Sequence, residues 1–138
     1  MNAQKIIRIV SKIFISFSIL SIGYVSLLSL FDPHATMAMV NLELSNTDAI
    51  SSIRGIYGGV GLVITGSLVF MLLREVDRGL LFLALFWGAY AISRMWTIAS
   101  DGPLGSFGTQ WLTIEAALCV LSLVVLLLSH RTHANTLR

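Results

Sequence analysis

Charge is scarce in this sequence. Asp, Glu, Lys and Arg make up 12% of its 138 residues, about half the share of an ordinary soluble domain, which excludes a conventional water-facing globular surface. There is one cysteine, Cys119, so no intramolecular disulfide can form and the redox compartment cannot be read from it. Three histidines, His34, His130 and His133, are too few and too scattered to suggest a metal site. His130 and His133 lie beyond the last apolar block and read as part of a loose tail. A phosphate loop is also missing: the glycines of "GIYGGVG" have neither a preceding strand nor a following Lys-Ser/Thr. A pI near 9.0 needs no nucleic acid, because membrane flanks and two arginines within apolar blocks account for the excess base.

Apolar residues are plentiful and grouped. They form 56% of the chain, with a mean hydropathy of +0.85, in blocks at residues 13–31, 49–73, 79–99 and 111–129. Each has the roughly 17–25 residues a helix needs to cross a hydrocarbon core of ~30 Å. The pattern predicts an all-α fold, a four-transmembrane-helix antiparallel bundle. One integral membrane domain, 1–138, would have spans at approximately 9–31, 49–73, 79–99 and 110–129. Lys5, Arg8 and Lys12 precede the first block as in a signal peptide. Its 19-residue apolar stretch exceeds a typical h-region, and no A-x-A site follows, so it reads as a retained span.

Basic residues set the orientation. Lys5, Arg8, Lys12, Arg74, Arg78, Arg131 and Arg138 fall on one side, and the loops 32–48 and 100–110 contain none. The positive-inside rule then makes both termini cytoplasmic, in a multi-pass protein of an inner (cytoplasmic) membrane. "REVDRG" predicts a tight turn between neighbouring spans two and three, and "SNTD" supplies N-cap candidates for span two. "SDGPLGSFG" reads as an outer turn, and "PHATMAMVNLEL" as a short helix in the outer interface. Trp96 and Trp111 fall where an aromatic belt is expected.

Three charges interrupt the spans. Arg54 and Arg94 stand five residues from the outer ends of their apolar blocks, and Glu115 stands five beyond Gln110, where span four begins, or roughly 7–8 Å deep at ~1.5 Å per residue. At spacings of three and four, Arg54 aligns with Tyr57, Gly58, Gly61 and Thr65; Arg94 with Tyr90 and Trp87; and Glu115 with Trp111, Cys119 and Ser122. Gly55, Gly58 and Gly59 are candidates for close helix packing, the first and last in a G-x-x-x-G. Two arginines against one glutamate leave a positive charge, for which Asp48 and Asp101 are nearby counter-charges. Internal helix ties, snorkelling arginines and a polar ligand site all remain open. Tyr57, Tyr90 and Trp87 suit packing or stacking on a ring, Cys119 suits a small core position, and the serines of span one suit a packing partner.

"IRGIYGG" at 53–59, Arg94 followed by "DGPLG" at 101–105, and Glu115 in the last span resemble a family of small bacterial four-helix inner-membrane proteins of unknown function. The resemblance implies the four-span fold and groups Arg54, Tyr57, Arg94, Asp101 and Glu115; it implies no activity.

The residues favour a non-enzymatic membrane protein that binds or moves a small anionic or amphipathic ligand, such as a lipid headgroup. Arg54 and Arg94 would contact the anion, Glu115 would orient one arginine, and Tyr57, Tyr90 and Asp101 would complete the pocket. The competing reading is a structural or accessory subunit, self-associating or bound to a membrane partner. A third is a lipid-modifying isomerase with Glu115 as general acid/base. No cofactor, metal or nucleic acid is expected.

Overall fold

The computed structural model describes residues 3–136, with side chains through Arg131; Arg138 and the His133 side chain lie outside the described residues. All its regular structure there is helical. In chain order the helices are α1 (Ala3–Phe31), α2 (Pro33–Ala38), α3 (Thr47–Ile53), α4 (Gly61–Arg74), α5 (Val76–Asp101) and α6 (Ser106–Thr136), with a π-helical segment, Arg54–Val60, joining α3 to α4.

Four helical stretches are long and apolar enough to cross a membrane: Ala3–Phe31, Thr47–Arg74, Val76–Asp101 and Ser106–Arg131. Only 17–28% of the residues in their apolar windows are buried within the chain. Leu20, Val63, Leu85 and Trp96 stand out among the large exposed apolar side chains. In water so much exposed hydrocarbon would drive aggregation; in lipid it is the expected surface.

Helix ends follow local chemistry. Asn46 caps α3, its side chain accepting from Ala49 N at 2.8 Å. Asp32 caps α2 with Pro33 in the first helical position, where the missing N–H costs nothing. Gly102, at φ 108°, ends α5 in a conformation that an L side chain resists. Glu75 alone separates α4 from α5, and four residues, 102–105, separate α5 from α6. The helices run beyond the apolar blocks. In particular α6 continues to Thr136, correcting the expectation of a loose tail after residue 129.

The chain divides into two compact units. One comprises the chain up to Ile15 and from Arg74 onward; the other is Ser16–Leu73. In the Ser16–Leu73 unit, α1 meets span two through small residues. A Cβ added at Gly58 would lie 3.2 Å from Leu30 backbone atoms. One at Gly61 would overlap Ser26 Oγ, and one at Gly23 would lie 3.3 Å from Thr65. The α1 residues in these contacts fall in number, from Leu30 through Ser26 to Gly23, as those of span two rise from Gly58 through Gly61 to Thr65. Ser26 and Ser29 are buried without stranding their hydroxyls, which donate to Ile22 O and Val25 O at 2.7 and 2.8 Å. Serine is thus both narrow enough for close approach and internally satisfied.

In the other unit, α5 packs along α6. Cys119 Sγ donates to Ala84 O at 3.3 Å and sits where a Cβ on Gly88 would be 3.2 Å away. Ser129 Oγ donates to Asp77 Oδ1 at 2.8 Å, and His130 Nε2 stands 4.0 Å from Asp77 Oδ2.

Candidate functional site

Glu115 has a partner, and it is Arg94. The guanidinium presents Nε to Oε2 at 2.6 Å and Nη2 to Oε1 at 2.9 Å, the two-bond fork that makes arginine–carboxylate pairs strong and directional. The Glu115 side chain is 3% exposed and that of Arg94 25%. An isolated charge in this setting would be strongly penalised, so the pair exists as a unit. α5 runs to Asp101 and α6 starts at Ser106. Arg94 therefore lies ~10 Å from its helix end and Glu115 ~13 Å from its own, well inside both helices.

Arg54 is answered differently. Its Nε donates to the Leu30 carbonyl at 3.1 Å, in the last turn of α1, where backbone carbonyls have no helical donor and the helix dipole is negative. Within its unit no carboxylate lies in ion-pair distance of it. Leu30 is the penultimate residue of α1, so Arg54 is level with the end of that apolar helix. α3, which precedes it, has no buried residue and carries Thr47, Asp48, Ser51 and Ser52. The first buried residue of span two is Gly58, four residues beyond Arg54.

The "RGIYGGV" motif is the π-helical segment itself. A π-helix bonds i to i+5 and winds wider than an α-helix, yet four of the residues aligned at spacings of three and four, Arg54, Gly58, Gly61 and Thr65, still meet α1. Gly58 is its one buried residue, and Tyr57 is 38% exposed. A Cβ at Gly55 would meet nothing within 4 Å, and one at Gly59 only the Arg54 carbonyl of its own helix. Within the chain, then, close approach belongs to Gly58 and Gly61. The G-x-x-x-G formed by Gly55 and Gly59 does not mark it.

The remaining candidates separate. Tyr90 is 40% exposed and packs in an aromatic cluster with Phe86 and Trp87, at centroid distances of 5.1 and 6.4 Å. The buried Trp87 Nε1 has no hydrogen-bond partner, and the Phe86 ring stands edge-on to the indole at 5.0 Å. Asp101, the last residue of α5, receives the Ser100 hydroxyl and is outside ion-pair distance of Arg94. It therefore does not complete the Arg94–Glu115 pair. Cys119 is a packing contact between helices, as its size suggested. Sequence reasoning missed the Leu30 carbonyl, the Gly61–Ser26 contact and the Asp77–Ser129 tie. The three glycines in five residues and the serines of α1 were the available signals for the first two.

No metal-binding group of three or more His, Cys, Asp or Glu occurs among the described residues. The family model for a domain of unknown function, DUF4345, matches residues 10–126, most of the chain. The chain belongs to the DUF4345 family. The matched region includes the π-helical segment and the Arg94–Glu115 pair. No curated protein and no solved structure matches the chain.

Proposed function

We propose that this DUF4345 member is a four-span antiparallel protein of a bacterial inner membrane. Both termini lie in the cytoplasm, and a small anionic or amphipathic ligand binds at the outer end of span two. One observation carries the ligand assignment. Arg54 is held by Nε on the Leu30 carbonyl, and both terminal amino groups of its guanidinium remain available to a carboxylate or phosphate. Tyr57, in the same π-helical segment, supplies a partly exposed ring and hydroxyl.

The binding test uses the full chain in nonionic detergent. Dihexanoyl phosphatidylglycerol should raise its thermal midpoint more than dihexanoyl phosphatidylcholine does, and Arg54→Gln should remove the difference. Equal shifts from the two lipids, or an unchanged difference in Arg54→Gln, would remove this assignment. Topology is tested separately in a Cys119→Ala background. Cysteines at Gln4 and Asp77 should resist an impermeant reagent added to intact cells, whereas cysteines at Asn41 and Ser106 should react. Labelling at Asp77 from outside would invert the orientation.

A second reading, a structural or accessory subunit, draws support from the Arg94–Glu115 pair, which is internally neutral and joins two helices. The same pair weighs against an isomerase: both Glu115 oxygens already accept from Arg94, which disfavours the carboxylate as a free acid or base.

A further inference from the structure

Within the Ser16–Leu73 unit, α2 is fixed at both ends. Asp32 Oδ1 accepts from Ala35 N at 3.0 Å. At the other end Asn41 N donates to Ala38 O at 3.1 Å and Leu42 N to Met37 O at 3.0 Å, with Asn41 at φ 56°. These are the paired bonds of a helix closed by one left-handed residue, and asparagine tolerates that conformation better than most. A buried bond between Ser29 and Thr36, 3.1 Å, ties α2 to α1. The turn at Asn41 opens a cleft of about 660 Å³ lined by His34, Ala38, Asn41, Leu42, Glu43 and Leu44. That volume is in the range of small-molecule sites.

The lining has a definite chemical bias. Glu43 brings a carboxylate, Asn41 an amide carbonyl, and His34 a ring nitrogen that accepts when neutral. No lysine or arginine lines the cleft, and Glu43 has no ion-pair partner within its unit. Ala38, Leu42 and Leu44 supply the apolar remainder. Around it Met39, Val40 and Leu42 are 46%, 48% and 52% exposed, on the segment that follows α2, which Asp32 joins to the end of the apolar, span-length α1.

We propose that this cleft binds a primary ammonium group carried by an amphipathic molecule. An –NH₃⁺ group offers one positive charge and three donors, matching one carboxylate and two neutral acceptors, while its alkyl portion packs on Leu42 and Leu44. A quaternary ammonium has no N–H to give, and no Trp, Tyr or Phe lines the cleft to cage it. A divalent metal would find a single carboxylate. An aminophospholipid headgroup and a soluble alkylamine share the chemistry, and competition separates them.

Native mass spectrometry of the full chain, loaded with phosphatidylethanolamine, its N,N-dimethyl form or phosphatidylcholine of identical acyl chains, reads the ammonium alone. All three lipids carry the same phosphate, so anion binding at Arg54 contributes equally. Retention should fall as N–H donors are methylated away, by about tenfold from first to last for one charge-assisted bonding group. Glu43→Gln should abolish the preference, and Glu43→Asp and Arg54→Gln should keep it. Millimolar ethanolamine that erases the preference would identify a soluble amine as the occupant; resistance to it would identify the lipid. Equal retention of the three lipids by the unmodified chain would overturn the proposal even if Glu43→Gln fails to fold. So would a preference that survives Glu43→Gln.

Discussion

The two arginines within the span-length apolar helices are stabilised in opposite ways, each inside its own unit. Arg94 faces a buried carboxylate through two short bonds, and the pair is neutral as a whole. Arg54 gives one N–H to the end of a helix and carries its charge without a carboxylate nearby in its unit. The first arrangement suits a position well inside a helix, where an isolated charge is costly, up to ~2.5–3.5 kcal/mol at the bilayer centre on insertion scales and less toward the edge. The second suits the level at which α1 stops, where headgroups and water can reach the guanidinium. An arginine in an apolar run is therefore not one kind of object. Its depth relative to neighbouring helix ends decides whether it needs a counter-ion from the protein or can face one from outside.

The sharpest way to break this comparison is to remove the carboxylate. Glu115→Gln leaves Arg94 among apolar side chains without its counter-charge. Loss of one member of a buried pair costs about 3–5 kcal/mol, with the partial exposure of Arg94 placing this case toward the lower end. Reversible unfolding of the protein in mixed micelles should show that loss. A change below about 1 kcal/mol would mean that the pair is solvated.

Next in size is the small-residue contact that holds α1 against span two. Gly61→Ala places a methyl group on Ser26 Oγ, and overpacking of this kind costs about 1–3 kcal/mol. Ser26→Ala should recover part of the loss, because it removes the overlapping oxygen while leaving Ser26 Cβ 3.0 Å from the new methyl. Gly66→Ala, with nothing within 4 Å of the added group, should be neutral or gain up to about 1 kcal/mol of helix propensity. Similar thermal midpoints for Gly61→Ala and Gly66→Ala would discard the special role of Gly61.

The smallest expected change in stability is at the other arginine. Arg54→Gln removes a cation from the last turn of α1, an interaction worth about 0.3–1 kcal/mol near a surface. Its larger consequence should be in ligand response. A stability loss comparable to that of Glu115→Gln would mean that Arg54 is bound as tightly as Arg94.

Much of the fold was legible because membrane spanning is written in composition. Four uncharged or nearly uncharged runs of span length can hardly be anything else, and the Asn46 cap and the turn at Gly102 have local grammar of their own. Depth was less legible. The third apolar block ends two residues before α5 does and the fourth begins five residues after α6 does, so equal sequence offsets for Arg94 and Glu115 underestimated how far inside their helices they stand. The partner of Glu115 could not be read, because spacing places a residue on a face but does not choose between two arginines on other helices. The π-helical segment was hidden for a related reason. Its glycines signalled close packing, which does not distinguish π from α winding; Gly58 makes that contact together with Gly61, and Gly55 and Gly59 do not. The Leu30 carbonyl was invisible because every residue has one, and only tertiary geometry shows which is left without a donor.

The most direct measurement is a pair of double-mutant cycles on the unfolding free energy in lipid nanodiscs, combining Glu115→Gln with Arg94→Gln and with Arg54→Gln. Arg94→Gln should rescue part of the Glu115→Gln loss, with a coupling of about 1–3 kcal/mol. Arg54→Gln should add to it within about 0.5 kcal/mol, the range for independent sites. Additivity between Arg94 and Glu115, or rescue by Arg54→Gln instead, would contradict the assignment of these charges.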